Sequence, residues 1–225
     1  FRSGSFLTNH RAQVMQQGAS AFWVGRRVLV TGGAGFIGSH LAALLVQAGA
    51  RVRVVDNLER GRKENLAGIQ NAIEFHQLDL TSLDNCLTAT AGMDVVMNLA
   101  ARACGLAYSG NHQGEMLTYN TLLGLNVLEA ARQNGVARFL VVSTSCVYPD
   151  DAEIPIREEA FNGTPEAVNR GYALAKIAAE EQARYYAREY GMKIAIARPN
   201  NAYGAGDVWE DRKSTRLNSS HGKLS

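Results

Sequence analysis

The sequence has few cysteines, few prolines and little net charge. Among its 225 residues are three cysteines and four prolines, and the formal net charge is +2. Three cysteines spread along the chain cannot build a disulfide framework or a cysteine-rich zinc site, so we expect no metal site and predict a reducing, cytoplasmic location. No apolar run is long enough to span a bilayer. The 46% of hydrophobic residues is enough for a globular domain with a substantial core.

Both ends of the chain look foreign to this domain. Residues 211–225 begin Asp-Arg-Lys-Ser-Thr-Arg-Leu-Asn-Ser-Ser-His, which resembles one reading frame of a common sequencing adapter, so we expect the native sequence to be cut off after Glu210. Residues 1–14 precede Met15 and are predicted to be an upstream or disordered segment. Residues 211–225 carry a net charge of +3 and residues 1–14 a net charge of +2. The whole chain carries +2, so the net charge of residues 15–210 is −3. The charge therefore gives no reason to expect a nucleic acid or membrane partner.

A glycine-rich turn between a predicted strand and a predicted helix is the clearest motif. Residues 31–38 read Thr-Gly-Gly-Ala-Gly-Phe-Ile-Gly, and Leu41, Leu44 and Leu45 give the following helix an apolar side. Such glycines permit a tight turn, close approach of a pyrophosphate and close helix packing, while the helix N-terminus offers free N–H groups. The next predicted strand ends at Asp56, whose carboxylate is placed to accept hydrogen bonds from an adenosine ribose. This pattern predicts a dinucleotide site that favours NAD over NADP.

Strand and helix patterns alternate through the rest of the chain. Leu122, Leu125, Leu128 and Ala131 are expected on the apolar side of the third helix, and residues 150–169 are expected to form a loop. Alternation of this kind predicts an α/β fold with a Rossmann-type doubly wound parallel sheet, a single dinucleotide-binding domain over residues 15–210. The predicted strands are 27–31, 52–56, 73–76, 94–99, 138–142 and 193–197, and the predicted helices are 36–47, 82–90, 115–134 and 170–190.

Tyr172 and Lys176 share one face of the fourth predicted helix because they are four residues apart. The ordinary pKa of a tyrosine is about 10, and a neighbouring ammonium group is expected to lower it. Such a tyrosine can take a proton from a sugar hydroxyl while a hydride leaves the same carbon. A pair with this spacing is most often a surface pair, but after the glycine turn and six ordered strands it indicates a catalytic pair.

Further short motifs follow one another in a fixed order. They are Asp56-Asn57, Asp79-Leu80, Asn98-Leu99-Ala100-Ala101, Asn120, Ser143-Thr144-Ser145-Cys146-Val147-Tyr148, Tyr172-xxx-Lys176 and Arg198-Pro199-Asn200-Asn201-Ala202-Tyr203-Gly204. With the glycine turn, they make residues 26–207 resemble the extended short-chain dehydrogenase/reductase family, in its NAD-dependent nucleotide-sugar epimerase, dehydratase and reductase branch. The resemblance implies a C-terminal substrate lobe that is truncated here, NAD as cofactor, a nucleotide-diphosphate sugar as substrate and a homodimer at full length.

The resemblance also implies a role for each motif residue. Thr144, Tyr172 and Lys176 would be catalytic, with Thr144 bonded to the sugar hydroxyl, and Gly105 and Asn201 would contact the substrate. The residues implied to bind the cofactor are Gly32, Gly35, Phe36, Ile37, Gly38, Asp56, Asn57, Asp79, Leu80, Leu99, Ala100, Ala101, Asn120, Tyr172, Lys176 and Pro199.

Cys146 narrows the resemblance within the branch. A cysteine two positions after Thr144 and before Val147-Tyr148-Pro149 resembles the corresponding segment of GDP-mannose 3,5-epimerases and GDP-fucose synthases, in which the cysteine acts as acid or base beside a 4-keto group. A thiol, with an ordinary pKa of about 8.5, suits this role when its surroundings bring that pKa towards neutrality. The other interpretation is a small buried residue at the end of a strand.

The leading hypothesis is an NAD-dependent nucleotide-sugar epimerase. Tyr172 and Lys176 would support transient oxidation at C4, Cys146 would exchange protons beside the ketone, and the fragment would be inactive alone because a second acid/base group would fall at or beyond Glu210. Three alternatives stay open. They are an NADP-dependent 4-keto-sugar reductase, disfavoured by Asp56; a C4-epimerase or 4,6-dehydratase with an inert Cys146; and a non-catalytic dinucleotide-binding regulator, disfavoured by the complete catalytic group.

Overall fold

The computed structural model describes residues 21–204, and the predictions for residues 1–14 and 211–225 lie outside this range. Six strands form one sheet in the order β3-β2-β1-β4-β5-β6, and every neighbouring pair is parallel. This is the strand order of a Rossmann domain, so the predicted fold class is confirmed. The strands are β1 Arg27–Thr31, β2 Arg51–Asp56, β3 Ile73–Gln77, β4 Val95–Asn98, β5 Arg138–Val142 and β6 Lys193–Ala197.

α-Helices connect the successive strands except β2 and β3, which two short 3-10 helices connect, and the α-helices cover both faces of the sheet. The second begins after Ser82, whose hydroxyl accepts a hydrogen bond from the Asn85 N–H at 3.5 Å. The third is a short helix that begins directly after Gly105, and it was not predicted. The helices are α1 Phe36–Gln47, α2 Leu83–Thr90, α3 Leu106–Asn111, α4 Gln113–Gln133 and α5 Arg170–Glu189.

The central strands are apolar at successive positions because helices bury both of their faces. Leu29 lies in a core cluster with residues of α2, α4 and α5, including Val127, while its neighbours Val28 and Val30 lie in the cluster that α1 completes with Ala42. The continuous apolar run of β1 is therefore explained by burial on two sides. Within residues 21–204, no helix combines the length and the apolar character that crossing a bilayer requires.

Two of the predicted apolar helix positions are wrong. Leu44 of α1 is 62% exposed and Leu122 of α4 is 40% exposed, whereas Leu45 and Leu128 are buried as expected. In α4 the buried side runs through Leu123, because this helix packs against both the sheet and α5. The spacing of the leucines alone does not show that α4 also packs against α5, so it predicts the wrong buried side.

All six strands run in the same direction, so their carboxyl ends meet at one edge of the sheet. The glycine turn follows β1 there, Asn57 follows β2, and Leu99 follows β4. Ser143 follows β5 and Arg198 follows β6. In an open parallel sheet the ligand-binding crevice lies outside these carboxyl ends.

Candidate active site

A cleft of about 830 Å³ lies along the carboxyl edge of the sheet. It extends from the turn after β1 to the segment after β6 and passes the start of α5. It brings together most of the residues for which the sequence predicts a role. The predicted residues that line it are Gly32, Gly35, Phe36, Ile37, Gly38, Asp56, Asn57, Leu80, Leu99, Ala100, Ala101, Gly105, Thr144, Cys146, Tyr172, Lys176, Pro199 and Asn201.

The turn after β1 forms one end of the cleft. Gly35 caps α1 in an extended conformation, and the first N–H groups of the helix, those of residues 36–38, have no partner within the helix by its geometry. A Cβ on Gly38 would lie only 2.3 Å from the carbonyl oxygen of Gly32, so any side chain there would push α1 away from the turn. The turn therefore presents a helix N-terminus to the cleft, which favours an anionic ligand.

Asp56 lies at the end of β2 beside this turn and is 7% exposed. One carboxylate oxygen accepts a hydrogen bond from the Ala34 N–H at 3.0 Å, and the other accepts one from the Leu58 N–H at 2.8 Å. Each carboxylate oxygen can accept more than one hydrogen bond, so both can still accept from a ligand hydroxyl. Leu58 has a positive φ of 63°, an uncommon conformation for a leucine, in the loop next to the cleft.

Thr31 fixes the segment that follows β4. Its hydroxyl donates to the side-chain oxygen of Asn98 at 2.6 Å and accepts hydrogen bonds from the backbone N–H groups of Leu99 and Ala100, each at 3.0 Å. The predicted cofactor residues after β4 are thus held against the end of β1.

Thr144, Tyr172 and Lys176 come together at the other end of the cleft. Lys176 is 7% exposed, and its Nζ donates to the Val142 carbonyl oxygen at 2.9 Å. The same Nζ lies 5.7 Å from the centre of the Tyr172 ring. Thr144 is close enough to the Tyr172 phenol to lower the pKa of that group. A hydroxyl, a phenol and an ammonium group therefore face one part of the cleft.

The expected lowering of the pKa of Tyr172 is wrong for this structure. Burial raises the pKa of the phenol above its usual value, and the hydrogen bond with Thr144 lowers it by less. Burial also lowers the pKa of Lys176 from its usual value near 10.5 to about 8. Desolvation disfavours the charged forms of both side chains, the phenolate and the ammonium group.

Cys146 lies beside this group and lines the same cleft. Its backbone N–H donates to the Thr144 hydroxyl at 3.2 Å, and the side-chain amide of Asn169 lies 3.7 Å from its sulfur. Burial raises the pKa of the thiol to about 12, and the negative charge of Glu166 acts in the same direction. The expected shift of this pKa towards neutrality is therefore wrong: the surroundings favour a protonated thiol.

Two residues implied to bind the cofactor do not line the cleft. Asp79 is exposed, and its carboxylate accepts hydrogen bonds from the N–H and hydroxyl of Thr81. Asn120 is 2% exposed, and its amide bonds both the N–H and the carbonyl oxygen of Arg102. Asp79 therefore stabilises a turn, and Asn120 fixes the backbone of a neighbouring segment.

Arg102 is a residue of the cleft that the sequence did not single out. Its guanidinium pairs with Glu59, in the loop after β2, and with Glu115 in α4, and it stacks 4.3 Å over the ring of Tyr119. Strands β2 and β4 lie on either side of β1, so this cluster joins the segments on both sides of the central strand. Glu115 and Tyr119 are four residues apart on α4, but no spacing in the sequence relates them to Glu59 or Arg102.

Glu166 and Asn169 were also missed, because both lie in the loop that was predicted only as a loop. Both line the cleft, and their side chains are hydrogen-bonded to each other. Their only local signal is that two polar residues, three apart, directly precede the helix of Tyr172. Among residues 21–204, no group of three or more His, Cys, Asp and Glu side chains could hold a metal ion.

The segment after β6 is fixed by a buried ion pair. Arg198 makes two hydrogen bonds to Glu180, a fully buried residue of α5, and a third to the hydroxyl of Tyr148 at 3.1 Å. Burial alone would raise the pKa of Glu180, but the hydrogen bonds from Arg198 bring it below its usual value. This pair connects α5 with the segments that follow β5 and β6.

Comparison with known proteins agrees with this geometry. Residues 28–220 match the family described as the NAD dependent epimerase/dehydratase family. The chain is 34% identical over 186 residues to GDP-mannose 3,5-epimerase 1 of Oryza sativa subsp. japonica, covering 82% of this chain and 48% of that protein. It is 38% identical over 179 residues to UDP-glucuronic acid decarboxylase 1 of Arabidopsis thaliana, covering 79% of this chain and 40% of that protein.

A solved structure shows the same fold. The complex of UDP-glucose 4-epimerase from Thermus thermophilus with NAD superposes with a TM-score of 0.72 at 35% identity, covering 81% of this chain and 57% of that one. The chain spans about half the length of the curated relatives it matches. These similarities confirm the predicted type of family and its NAD cofactor.

Proposed function

Because the chain belongs to the NAD-dependent epimerase/dehydratase family, we propose that the protein is an NAD-dependent nucleotide-sugar epimerase that oxidises its sugar transiently at C4. The observation that carries this proposal is the location of Thr144, Tyr172 and Lys176 in the same cleft as the turn after β1. A dinucleotide bound on that turn and a sugar beside Tyr172 would then meet within one cleft.

The residues of the turn fit NAD. The close packing of Gly38 against Gly32 leaves the α1 N-terminus open to the cleft, where its N–H groups would bond the pyrophosphate. The Asp56 carboxylate would accept from the adenosine ribose, and it would repel the 2′-phosphate of NADP. When bound, NAD would supply a group that takes up a hydride and returns it.

Thr144, Tyr172 and Lys176 would each have a different role in the proton transfer. Thr144 would hold the sugar hydroxyl by a hydrogen bond, and Tyr172 would accept its proton. Because burial raises the pKa of Tyr172, its phenolate needs nearby positive charge. Lys176 supplies it, since with a pKa of about 8 its amine is still mostly protonated at neutral pH.

Cys146 would exchange a proton with the sugar carbon next to the transient ketone. The carbonyl acidifies the neighbouring C–H bonds, and inversion there needs a proton removed on one face and returned on the other, so Cys146 would be one of two acid/base groups. Two observations support this role: Cys146 lines the cleft, and its backbone N–H donates to the hydroxyl of Thr144 at 3.2 Å.

Isotope incorporation tests this function. The longest product of the gene, including any sequence that follows Glu210, is incubated with NAD in D2O and GDP-mannose or UDP-glucose as probe substrates. Deuterium at C3 or C5 is expected, and Cys146→Ser should abolish it while the matched variant Cys104→Ser keeps it. Turnover that leaves hydrogen at both carbons would contradict the role of Cys146.

A second candidate is epimerisation at C4 alone, with an inert Cys146. It is favoured by the burial that raises the pKa of this thiol to about 12, because a group that stays protonated is a poor base. In this case C4 inverts without isotope at C3 or C5, and Cys146→Ser keeps its activity.

The partners follow from the same proposal. The substrate would be a nucleotide-diphosphate sugar, and the longer protein would form a homodimer through α4 and α5, which expose Leu122 and Tyr185. Light scattering of the longer product should give twice the chain mass, and a monomer at micromolar concentration would contradict the dimer.

A further inference from the structure

We propose that Arg102 is a positioning residue for the cofactor, which holds the loop of residues 57–61 against Asp56 so that this carboxylate meets the adenosine ribose in one fixed orientation. Arg102 acts on the loop through Glu59 and Tyr119. The inference rests on the proposed function, which places the ribose of NAD at Asp56. It assigns a role to an ion-pair cluster that neither the glycine turn nor the catalytic group includes.

The loop of residues 57–61 wraps around the Asp56 carboxylate. The Leu58 N–H donates to one carboxylate oxygen at 2.8 Å, and a Cβ on Gly61 would lie 2.7 Å from both oxygens, so the loop passes directly against them. The positive φ of 63° at Leu58 costs a leucine free energy and persists only where the surroundings hold it. The orientation of the carboxylate therefore depends on contacts that keep this loop in place.

The side chains of Tyr119 and Arg102 supply such contacts from outside the loop. The Asn57 side-chain amide donates to the Tyr119 hydroxyl at 3.2 Å, and that hydroxyl donates to Glu59 at 3.4 Å. Arg102 donates from Nε to Glu59 at 3.0 Å, pairs with it through Nη2 as well, and stacks 4.3 Å over the Tyr119 ring. Both residues that flank Leu58 are therefore bonded to groups on other segments of the chain.

Arg102 is itself fixed at its backbone and at its guanidinium. The buried amide of Asn120 bonds the Arg102 N–H at 2.9 Å and its carbonyl oxygen at 3.1 Å. The guanidinium also pairs with Glu115, whose other carboxylate oxygen accepts a hydrogen bond from the Tyr108 hydroxyl at 2.9 Å. An isolated exposed ion pair contributes little, but here two carboxylates and an aromatic ring hold one guanidinium. The arginine is therefore preorganised to hold Glu59.

The helix α4, which carries Glu115 and Tyr119, is anchored at its first residue. The side-chain amide of Gln113 donates to the Val168 carbonyl oxygen at 2.8 Å and accepts from the Gly171 N–H at 2.5 Å. A Cβ on Gly171 would lie 2.1 Å from the Gln113 carbonyl oxygen, so only glycine allows this contact. This helix therefore gives the cluster around Arg102 a fixed support.

Calorimetric titration of the 225-residue chain with NAD tests the proposal. Arg102→Met removes the guanidinium and should weaken NAD binding about fivefold, because the loop then no longer fixes Asp56 before the ligand arrives. The matched control Arg132→Met also removes an arginine that pairs with a glutamate and stacks over a tyrosine, but Arg132 does not line the cleft. This control should bind NAD like the wild type. An unchanged affinity in Arg102→Met, or a wild-type chain that does not bind NAD, would overturn the proposal.

A positioning role predicts two results that a merely structural role does not. An NAD analogue with 2′-deoxyadenosine lacks the hydroxyl that Asp56 would bind, so its affinity should differ by less than about twofold between wild type and Arg102→Met. Because Arg102 acts through Asp56, adding Arg102→Met to Asp56→Asn should weaken NAD binding by less than about twofold more. A fivefold loss in either measurement would overturn the proposal.

Glu59→Gln decides if Arg102→Met does not fold, as judged by circular dichroism. It removes the exposed carboxylate that Arg102 holds, and it should weaken NAD binding about threefold. The matched control Glu64→Gln changes an exposed glutamate that does not line the cleft and should leave the affinity unchanged. Equal affinities of Glu59→Gln and the wild type would then overturn the proposal.

The titrations need no sugar turnover, which keeps the two hypotheses distinguishable. Weaker NAD binding in Arg102→Met, without turnover of either probe sugar by the longest gene product, would reject the epimerase and keep the positioning role. Deuterium incorporation with an unchanged NAD affinity in Arg102→Met would keep the epimerase and reject the positioning role.

Discussion

The two ends of the cleft are built from different chemical groups. The dinucleotide side, residues 31–61, works chiefly with backbone: glycines, a helix N-terminus and one carboxylate that is itself bonded to N–H groups. The sugar side, residues 142–176, works with side chains whose pKa values are shifted: the buried Lys176 and the half-buried Cys146 and Tyr172. Backbone groups can bind but cannot transfer protons at neutral pH. Binding and reaction should therefore be separable by substitution.

Tyr172→Phe is expected to have the largest effect. Removing the phenol should lower turnover by about 10²–10⁴-fold, since it removes the acid/base group, while the affinity for NAD stays nearly unchanged. Steady-state kinetics of the longest gene product and calorimetric titration with NAD measure the two quantities. Tyr185→Phe, an exposed tyrosine of the same helix, is the control. If Tyr172→Phe lost NAD affinity as well as turnover, binding and reaction would not be separable by substitution.

Glu180→Ala tests the ion pair that supports the sugar side. It should lower the free energy of unfolding by about 3 kcal/mol, because Arg198 would be left largely buried without its anion. Urea denaturation measures the loss. The neighbouring Glu181→Ala removes a half-exposed partner of Arg184 and should change stability by less than about 1 kcal/mol. Equal losses in the two variants would mean that the pair does not support the site.

Lys176→Met tests the buried ammonium through pH. The pKa of Lys176 is lowered in the folded chain to about 8, from about 10.5 when unfolded. Between these values the unfolded chain binds more protons, so the wild type should gain about 2 kcal/mol of stability relative to Lys176→Met as pH rises from about 8 to about 10.5. Denaturation at several pH values measures this. The exposed Lys193→Met should show no such slope relative to wild type, and a flat difference for Lys176→Met would refute the burial of its charge.

Asp56→Asn should have the smallest effect, confined to binding. Loss of the charged acceptor should weaken NAD about tenfold and reduce the discrimination against NADP. Titration of both dinucleotides measures the change. Asp79→Asn is the informative control, because the family resemblance predicts a cofactor role for Asp79 while the structure places it outside the cleft. An equal loss in both variants would favour the sequence prediction.

Features that depend on local spacing could be predicted from the sequence. The bounds of β1, α1, β5 and β6 agree with prediction, and the glycine turn and the pair Tyr172 and Lys176 lie in one cleft. These features follow from periodicity and from contacts between neighbours in sequence, which a single chain displays directly.

Features that depend on contacts between residues distant in sequence could not be predicted from the sequence. The spacing of Tyr172 and Lys176 suggests a charge effect, but the largest effect on the pKa of Tyr172 is burial, which exists only in the folded chain. Glu166 reaches Cys146 only because a loop folds back over twenty residues, and the outward position of Leu122 depends on where α5 packs. None of these contacts has a local pattern.

Gln113 connects the two longest helices, α4 and α5, by a hydrogen bond. It is the first residue of α4, and its side chain bonds the peptide of Gly171, the neighbour of Tyr172 in α5. An axial shift of α4 would thus reach the residue next to the phenol through this amide, in addition to the packing of α4 against α5. The position of the reactive oxygen in α5 therefore depends on where α4 begins.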